Sequence, residues 1–368
     1  MKKKNLCKTL LKTMCIVLGI LILALLAYIV YLYASYYRIE DNQELVVEAP
    51  VDDTTTGAAA VLATDTEYSA VTYNIGFGAY LPDYSFFMDG GTSSWAESPE
   101  TVQYAINGAG ELVKSLDPDF ALIQEIDLDA TRSYHTDEYE MLRNILPEYT
   151  TVFAQNYDSA FLFYPFTQPH GSSRAGLGLF SKYPVSSALR RSFPISTSFS
   201  KFFDLDRCYS VSRIPVDNGK ELVIFNLHMS AYGNSDEIRK GQIEMLCNDM
   251  AKEYEAGNYV LCGGDFNHDL KASEEDTESC ESWAFPFPRS ELPEHFTFCL
   301  DLLTEEEQAA LWNSARNADM EYVPGVTYTV TLDGFIISDN IECLSYENVN
   351  TGYSYSDHDP VKVEFVLK

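Results

Sequence analysis

The residues of this sequence that are best suited to chemistry stand where short apolar runs end. The clearest case is "VLCGGDFNHDL", residues 260–270, in which three apolar residues lead through two glycines to Asp265 and Asn267. An Asx-turn would explain the pair structurally. The two glycines favour a second reading, in which another group approaches the backbone closely at this strand end.

Five other predicted strands carry polar side chains at their ends in the same way. Taken singly, these residues have structural explanations: a turn former, a carboxylate at a strand exit, a structural histidine. Six strand ends that converge on one rim instead predict a metal site beside an acid–base pair. The residues are Asn74 in "VTYN", Glu125 in "ALIQE", His228 in "VIFNLH", Asp333 in "VTLD", and Asp357 and His358 just before "VKVEFVL".

The order of these segments resembles the endonuclease/exonuclease/phosphatase superfamily, the deoxyribonuclease I-like fold that also includes neutral sphingomyelinases and inositol-polyphosphate phosphatases. The resemblance covers residues 69–368 and departs from the family pattern at Thr331, Leu332 and Gly334, around Asp333. Apolar strands interleaved with helices indicate two packed sheets with helices outside. The resemblance implies more: a four-layered α/β sandwich of two mixed β-sheets packed face to face. The matching segments are "TYNIG", "LIQEID", "GLGLFSKYP", "NLHMS", "GGDFN", "LDGFIIS" and "SDHDPV".

The resemblance also implies a role for each polar residue. Asn74, Glu125 and Asp357 would bind the metal, and such hard oxygen ligands favour Mg²⁺ or Mn²⁺ over zinc. The catalytic residues would act on a phosphoester that approaches the backbone at residues 263–267. His358 would be the general base with its ring oriented by Asp333, and Asp265 would help position or deprotonate the attacking water. Asn267 would donate to the phosphate, and His228 would contact the phosphate and protonate the leaving group.

The N-terminus predicts a membrane anchor. Five lysines within residues 1–13 precede an uncharged apolar run at 14–34, which is long enough to cross a bilayer as a helix. A cleaved signal peptide is the alternative. The lysines place the N-terminus in the cytoplasm of a single-pass protein of the cell membrane, and the folded part outside.

The remaining chain divides by composition. Residues 35–68 are acidic and rich in Thr and Ala, which predicts a flexible tether. Residues 69–368 form the catalytic domain, with an insertion at 270–325 whose helix opens on a capping box from Thr304 to Glu307. Eight cysteines include no CxxC pair, so a zinc ribbon is not expected, and disulfide pairing stays open.

Charge bears on the substrate. The segment after residue 35 holds 20 of the 25 basic and all 55 acidic residues, a formal charge of −35. With no basic cluster evident in the sequence, tight nucleic-acid binding is not expected. Aromatic loops such as "NYDSAFLFYPF" would rim the cleft, and Arg174 would meet a phosphate or lie at the surface.

These observations predict a membrane-anchored, metal-dependent phosphoesterase with a lipid or small-molecule substrate. Its partners would be that substrate and, through the N-terminal helix, the membrane, with no protein partner implied. An extracellular endo- or exonuclease is the first alternative, and a non-catalytic binding domain on the same fold is the second.

Overall fold

The computed structural model describes residues 2–52, 61–202, 205–231, 236–273 and 284–368. The acidic stretch of the predicted insertion, residues 274–278, lies outside the described residues. The chain forms two compact units, residues 1–38 and residues 39–368. Each is described separately below.

The first unit is a single helix, α1 (Lys2–Ser35). Its segment Leu6–Ser35, with a mean hydropathy of 2.9 over its most apolar window, is long and apolar enough to cross a membrane. A signal sequence has the same length and composition near an N-terminus.

The second unit is built on two mixed sheets. In spatial order, the first sheet contains β1 (Gln43–Glu44), β7 (Ser187–Ser192), β8 (Cys208–Pro215), β9 (Glu221–His228), β10 (Tyr259–Asp265), β14 (Asp333–Ser338) and β11 (Phe296–Phe298). The second contains β15 (Ile341–Asn348), β16 (Val361–Leu367), β3 (Glu67–Asn74), β4 (Phe120–Ala130), β6 (Gly171–Ser181), β5 (Thr150–Leu162) and β2 (Val47–Glu48). A short ribbon pairs β12 (Ala315–Arg316) with β13 (Thr329–Val330).

Helices cover the outer faces of the two sheets. They are α2 (Pro99–Leu116), α3 (Glu138–Ile145) and α4 (Asp236–Glu255), whereas the short α5 (Glu305–Ala310) buries none of its residues. Leu122 of β4 packs in the core between the sheets, whereas its neighbours Ala121 and Ile123 pack against α2 and α3. Such period-two alternation with both faces buried explains the uninterrupted apolar run of β4. Leu246 and Met250 of α4 join the core from the other side, which completes the four layers.

Each sheet has one parallel pair at its centre, and the two pairs end at the same edge of the sandwich. In one sheet β3 runs parallel to β4, and in the other β9 runs parallel to β10. β14 runs antiparallel to β10, and β16 runs antiparallel to β3, so both of these strands begin where the parallel pairs end. One rim therefore collects residues from six strands.

Side chains cap the starts of two helices, one of them as predicted. Ser98 caps α2 by accepting a hydrogen bond from the Thr101 amide at 3.1 Å, with Pro99 in the first turn. Thr304 and Glu307 form the predicted capping box of α5. The segment "NYDSAFLFYPF" differs from prediction: its first seven residues belong to β5, and only the remainder is a loop.

The segment predicted as a tether is more ordered than its composition indicates. Residues 43–44 pair with β7 and residues 47–48 pair with β5, and Leu62 is fully buried in the core. Backbone pairing at the outer edges of both sheets supplies the order that side-chain hydrophobicity does not. Residues 53–60 of this segment lie outside the described residues.

Candidate active site

Glu125 was predicted to stand at a strand end. In the structure it instead lies within a strand and reaches the rim from there. β4 continues to Ala130, and the register of its pairing with β6 shifts between Ile123 and Ile126. Glu125 lies in this bulge with a left-handed φ of +56°. A bulge redirects a side chain out of the alternating pattern, and here it places a partly exposed carboxylate in the cavity.

Asn74, at the end of β3, joins the carboxylates of the two sheets. Its Nδ2 donates to Glu125 Oε1 and to Asp265 Oδ2, each at 3.1 Å. Its Oδ1 accepts from the Gly76 amide at 3.0 Å. The amide therefore holds two acidic groups in place, with its own oxygen engaged by the backbone.

His228 and Asp265 end the parallel pair β9–β10 at matching register positions. His228 Nε2 lies 3.4 Å from Asp265 Oδ2, and both side chains are buried. Burial, reinforced by Arg207 and His358, lowers the pKa of His228 well below its ordinary value. A neutral imidazole can donate a hydrogen bond to a phosphate, which is one of the two roles predicted for His228. Its other role, as proton donor to the leaving group, stays a prediction.

The glycines before Asp265 serve packing between strands, which differs from the prediction that a phosphoryl group approaches there. A Cβ on Gly264 would lie 2.1 Å from the Leu227 carbonyl oxygen of β9, and a Cβ on Gly263 would lie 2.5 Å from the Phe335 ring of β14. The Asx-turn alternative is present, because the Asn267 amide donates to Asp265 Oδ1 at 2.8 Å. Asn267 has a φ of +49° and donates its Nδ2 to the Met229 carbonyl.

His358 and Asp333 form a buried dyad. His358 Nδ1 lies 2.7 Å from Asp333 Oδ2, and that same oxygen accepts from Ser314 Oγ at 2.7 Å. Burial opposes a charged imidazole, but the Asp333 carboxylate outweighs it and raises the pKa of His358 well above its ordinary value. The departures from the family pattern around Asp333 thus leave its bond to His358 intact.

Asp357 lies at the rim beside side chains that come from both sheets. Ser356 Oγ donates to the Asn74 carbonyl at 2.8 Å, which fixes the segment before β16 to the end of β3. Burial, with Glu125 nearby, raises the pKa of Asp357. Burial also raises the pKa of Asp265 to about 7, with the Asp333 charge adding to the effect.

All eight predicted residues meet at one cavity of about 410 Å³. Asn74 and Asp333 stand behind its wall and hold the residues that form it. The other six line it: Glu125, His228, Asp265, Asn267, Asp357 and His358.

The donor set fits a divalent cation. Carboxylates that are buried together with raised pKa values are stabilised by a positive charge placed between them. Asp265, Asp333 and His358 have possible ligand atoms within 4.8 Å of one another. Because the Oδ2 atom of Asp333 already accepts two hydrogen bonds, the more accessible Glu125 side is the better position for a metal.

Sequence reasoning missed the basic side of the cavity. Arg132, Arg207 and Arg316 line it together with His170, although no basic cluster was expected. The Asp127 carboxylate binds Arg132 through two hydrogen bonds. These arginines are separated by tens of residues, so no local pattern in the sequence reveals that they meet.

Two secondary predictions have different outcomes. Arg174 lies at the surface and pairs with Asp129 at 3.0 Å, which agrees with its surface alternative. Of the predicted aromatic segment "NYDSAFLFYPF", Tyr157 lines the cavity, and Tyr80 and Phe86 from the aromatic loop after β3 line it as well.

Comparison with known proteins agrees with this geometry. A sequence profile described as "Endonuclease/Exonuclease/phosphatase family" matches residues 71–301. A search of curated proteins finds no match.

Three similar solved structures share the fold at low identity. The endonuclease/exonuclease/phosphatase from Beutenbergia cavernae has 15% identity and a TM-score of 0.54, with 82% of this chain and 72% of that one covered. The endonuclease/exonuclease/phosphatase from Bacteroides vulgatus has 17% identity and a TM-score of 0.53, and the match covers 83% of this chain and 100% of that one. D. rerio TDP2, solved with a single-strand DNA product, has 14% identity and a TM-score of 0.54, and the match covers 82% of this chain and 99% of that one.

Proposed function

The chain belongs to the endonuclease/exonuclease/phosphatase family, and on that premise we propose that it is a membrane-anchored, divalent-metal-dependent phosphoesterase. Hydrolases of this family act on phosphoester bonds. The observation that carries the proposal is the convergence of six strands on one rim, with His358 held by Asp333 at 2.7 Å.

Glu125 and Asp357 would hold Mg²⁺ or Mn²⁺, with Asn74 orienting Glu125. A cation bound there would offset the charge that develops on a phosphate oxygen during in-line attack of water. Asp265 Oδ2 lies 3.4 Å from His228 Nε2 and 3.8 Å from His358 Nε2, and from there Asp265 would orient the attacking water.

His358 would take the proton from that water as general base. The Asp333 carboxylate stabilises the resulting imidazolium and fixes the ring so that Nε2 faces the cavity. His228 would donate a hydrogen bond to the phosphate as a neutral imidazole, and Asn267 would contact a second phosphate oxygen.

The proposed substrate is a lipid or small-molecule phosphoester. The formal charge of −35 on the segment after residue 35 repels long polyanions, and aromatic side chains are among the residues that line the cavity. Helix α1 would anchor the enzyme, with the five N-terminal lysines in the cytoplasm and the catalytic unit outside.

A nuclease is the second candidate. The arginines in the cavity favour it, because phosphate contacts by Arg provide much of the affinity for nucleic acid. The DNA product in the D. rerio structure belongs to that protein and gives this candidate a precedent on the fold.

The test is hydrolysis by the full-length protein in detergent micelles. Bis(p-nitrophenyl) phosphate and p-nitrophenyl phosphate would report diesterase and monoesterase activity with Mg²⁺, Mn²⁺ or excess chelator. Sphingomyelin, inositol phosphates and DNA would follow at one ionic strength. Absence of metal-stimulated hydrolysis of every substrate would reject the proposal, and a DNA rate above all others would select the nuclease.

A further inference from the structure

Arg207 is a buried cation in the wall of the cavity. It directly precedes β8, is 7% exposed and lines the cavity. Its Nε and Nη1 atoms are buried and have no hydrogen-bond partner among the described residues. Within the part of the chain that the structure describes, its guanidinium forms no ion pair with a carboxylate.

Asn156 offers a second unsatisfied donor on the facing sheet. The pairing of β5 with β6 shifts register between Gln155 and Tyr157, so Asn156 is the extra residue of a bulge. Its side chain lines the same cavity, is 1% exposed, and has no partner for Nδ2 among the described residues. Two unsatisfied polar side chains that are both more than nine-tenths buried in one cavity require an explanation.

Arg207 and Asn156 lie on the same side of the cavity. The residues next to them touch across the sandwich, because Cys208 Sγ lies 3.8 Å from the Gln155 carbonyl oxygen. β5 and β8 thus face each other at this point, and the two unsatisfied side chains flank the contact.

This side is displaced from the catalytic residues. Neighbouring strands are about 4.8 Å apart. β8 lies one strand away from β9, which carries His228, and β5 lies two strands away from β4, which carries Glu125. The offset between Arg207 with Asn156 and the catalytic centre is therefore roughly 5–10 Å.

The contrast with Arg132 shows what Arg207 lacks. Arg132 is equally buried, but Asp127 neutralises it through two hydrogen bonds. An isolated buried cation is strongly unfavourable unless a counter-charge reaches it. Of the chain's 55 acidic residues, none that the structure describes pairs with Arg207, which leaves its position open for an anion from outside the protein.

We propose that Arg207 and Asn156 form a subsite for a second phosphate group of the substrate, beside the phosphate that is cleaved. Three buried donor atoms, Nε and Nη1 of Arg207 and Nδ2 of Asn156, match the several acceptor oxygens of a phosphate. The inference rests on the proposed function, and it names the substrate class as a phosphoester that bears a further phosphate roughly 5–10 Å from the scissile one.

The first test is binding without catalysis. The full-length protein in detergent and EDTA would be titrated with inorganic pyrophosphate by calorimetry. Loss of a charged hydrogen-bond donor weakens binding by about 10- to 100-fold, so Arg207→Met should weaken pyrophosphate binding by that factor, and Asn156→Leu by less. The matched control is Arg174→Met, which removes an exposed arginine paired with Asp129 and should bind as the wild type does.

Thermal unfolding separates a binding role from a structural one. Since Arg207 pairs with no carboxylate among the described residues and its Nε and Nη1 atoms are unsatisfied there, Arg207→Met should leave the melting temperature of the ligand-free protein unchanged or raise it. A structural arginine would lower it. A lower melting temperature together with unchanged pyrophosphate binding would overturn the proposal.

The second test is substrate preference. Thymidine 5′-(p-nitrophenyl phosphate) would be compared with the same compound bearing a 3′-phosphate. The wild type and Arg174→Met should prefer the doubly phosphorylated probe by about tenfold or more in kcat/KM, and Arg207→Met should lose that preference.

The outcomes distinguish the two proposals. If neither probe is hydrolysed but pyrophosphate binds through Arg207, the subsite stands and the phosphoesterase proposal fails. If both probes are hydrolysed equally and Arg207→Met binds pyrophosphate as the wild type does, the subsite is refuted and the phosphoesterase stands. Failure of the wild type to bind pyrophosphate also refutes the subsite.

Discussion

Replacing Asp333 with Asn tests the His358–Asp333 dyad most directly, because the side chain keeps its shape and loses its charge. The Nδ1–Oδ2 distance is 2.7 Å, in a buried setting. At an effective dielectric constant near 20, unit charges this close attract by on the order of 4–6 kcal/mol. Loss of a general base or its stabilising partner lowers the rate by about 10²–10⁴-fold, which corresponds to about 3–5 kcal/mol of activation free energy. The attraction between the two charges is large enough to account for a loss of this size.

The pH dependence gives this prediction a sign. Asp333 raises the pKa of His358 well above the ordinary value near 6.5. The wild-type rate should therefore rise with pH as His358 loses its proton. In Asp333→Asn the largest influence that raises this pKa is lost, while Asp265 and Asp357 still act in that direction. The pKa of His358 should therefore fall, so kcat/KM should be low and its rise with pH should move to lower pH.

Stability should follow the same linkage. A raised histidine pKa contributes stability that is complete below about pH 6.5 and is lost as pH rises through the folded-state value. The melting temperature of Asp333→Asn should thus fall furthest below that of the wild type near pH 6, and the gap should narrow at alkaline pH. Ser314→Ala is the matched control, because it removes the hydroxyl that donates to Asp333 Oδ2 and accepts from the Leu332 and Asp333 amides, but keeps the carboxylate charge. Superimposable pH–rate profiles for wild type and Asp333→Asn would refute the dyad.

Four further outcomes are expected. Excess chelator should abolish hydrolysis and Mg²⁺ or Mn²⁺ should restore it, while full activity in chelator would exclude a metal mechanism. Glu125→Gln should reduce kcat/KM by about 10²-fold or more, because a rim carboxylate is lost, and should leave the melting temperature unchanged. A wild-type rate in this variant would show that Glu125 has no role in hydrolysis. His228→Ala should lower kcat without shifting the pH profile between 6 and 9, because the pKa of His228 is already well below the ordinary value. A shifted profile would instead support His228 as the proton donor to the leaving group. Protease added to intact cells should release the catalytic unit, and protection until the membrane is opened would reverse the orientation.

The sequence was most informative where secondary structure alone places a side chain. The parallel pairs β3–β4 and β9–β10 must end at the same edge of their sheets, so Asn74, His228 and Asp265 could be assigned to a rim from strand patterns. The family profile ends at residue 301, before Asp333 and His358. These two residues reach the site because β14 pairs antiparallel with β10 and β16 pairs antiparallel with β3.

The sequence was least informative where local backbone departures or long-range contacts decide the geometry. No pattern indicated the bulges that redirect Glu125 and Asn156. β15 was not recognised because it lies at a sheet edge and is largely exposed, as in "IECLSYEN". Net charge was also misleading: a total of −30 gave no sign of three arginines in one cavity, because local potential depends on placement rather than on sums.

The bond from Ser356 Oγ to the Asn74 carbonyl joins residues 282 positions apart in the chain. β16, which follows it, inserts between β15 and β3 and completes the second sheet. Any fragment that stops short of residue 356 therefore lacks both a central strand and His358. An emerging chain would carry no working site during synthesis, and proteolytic removal of this one segment would silence the protein irreversibly.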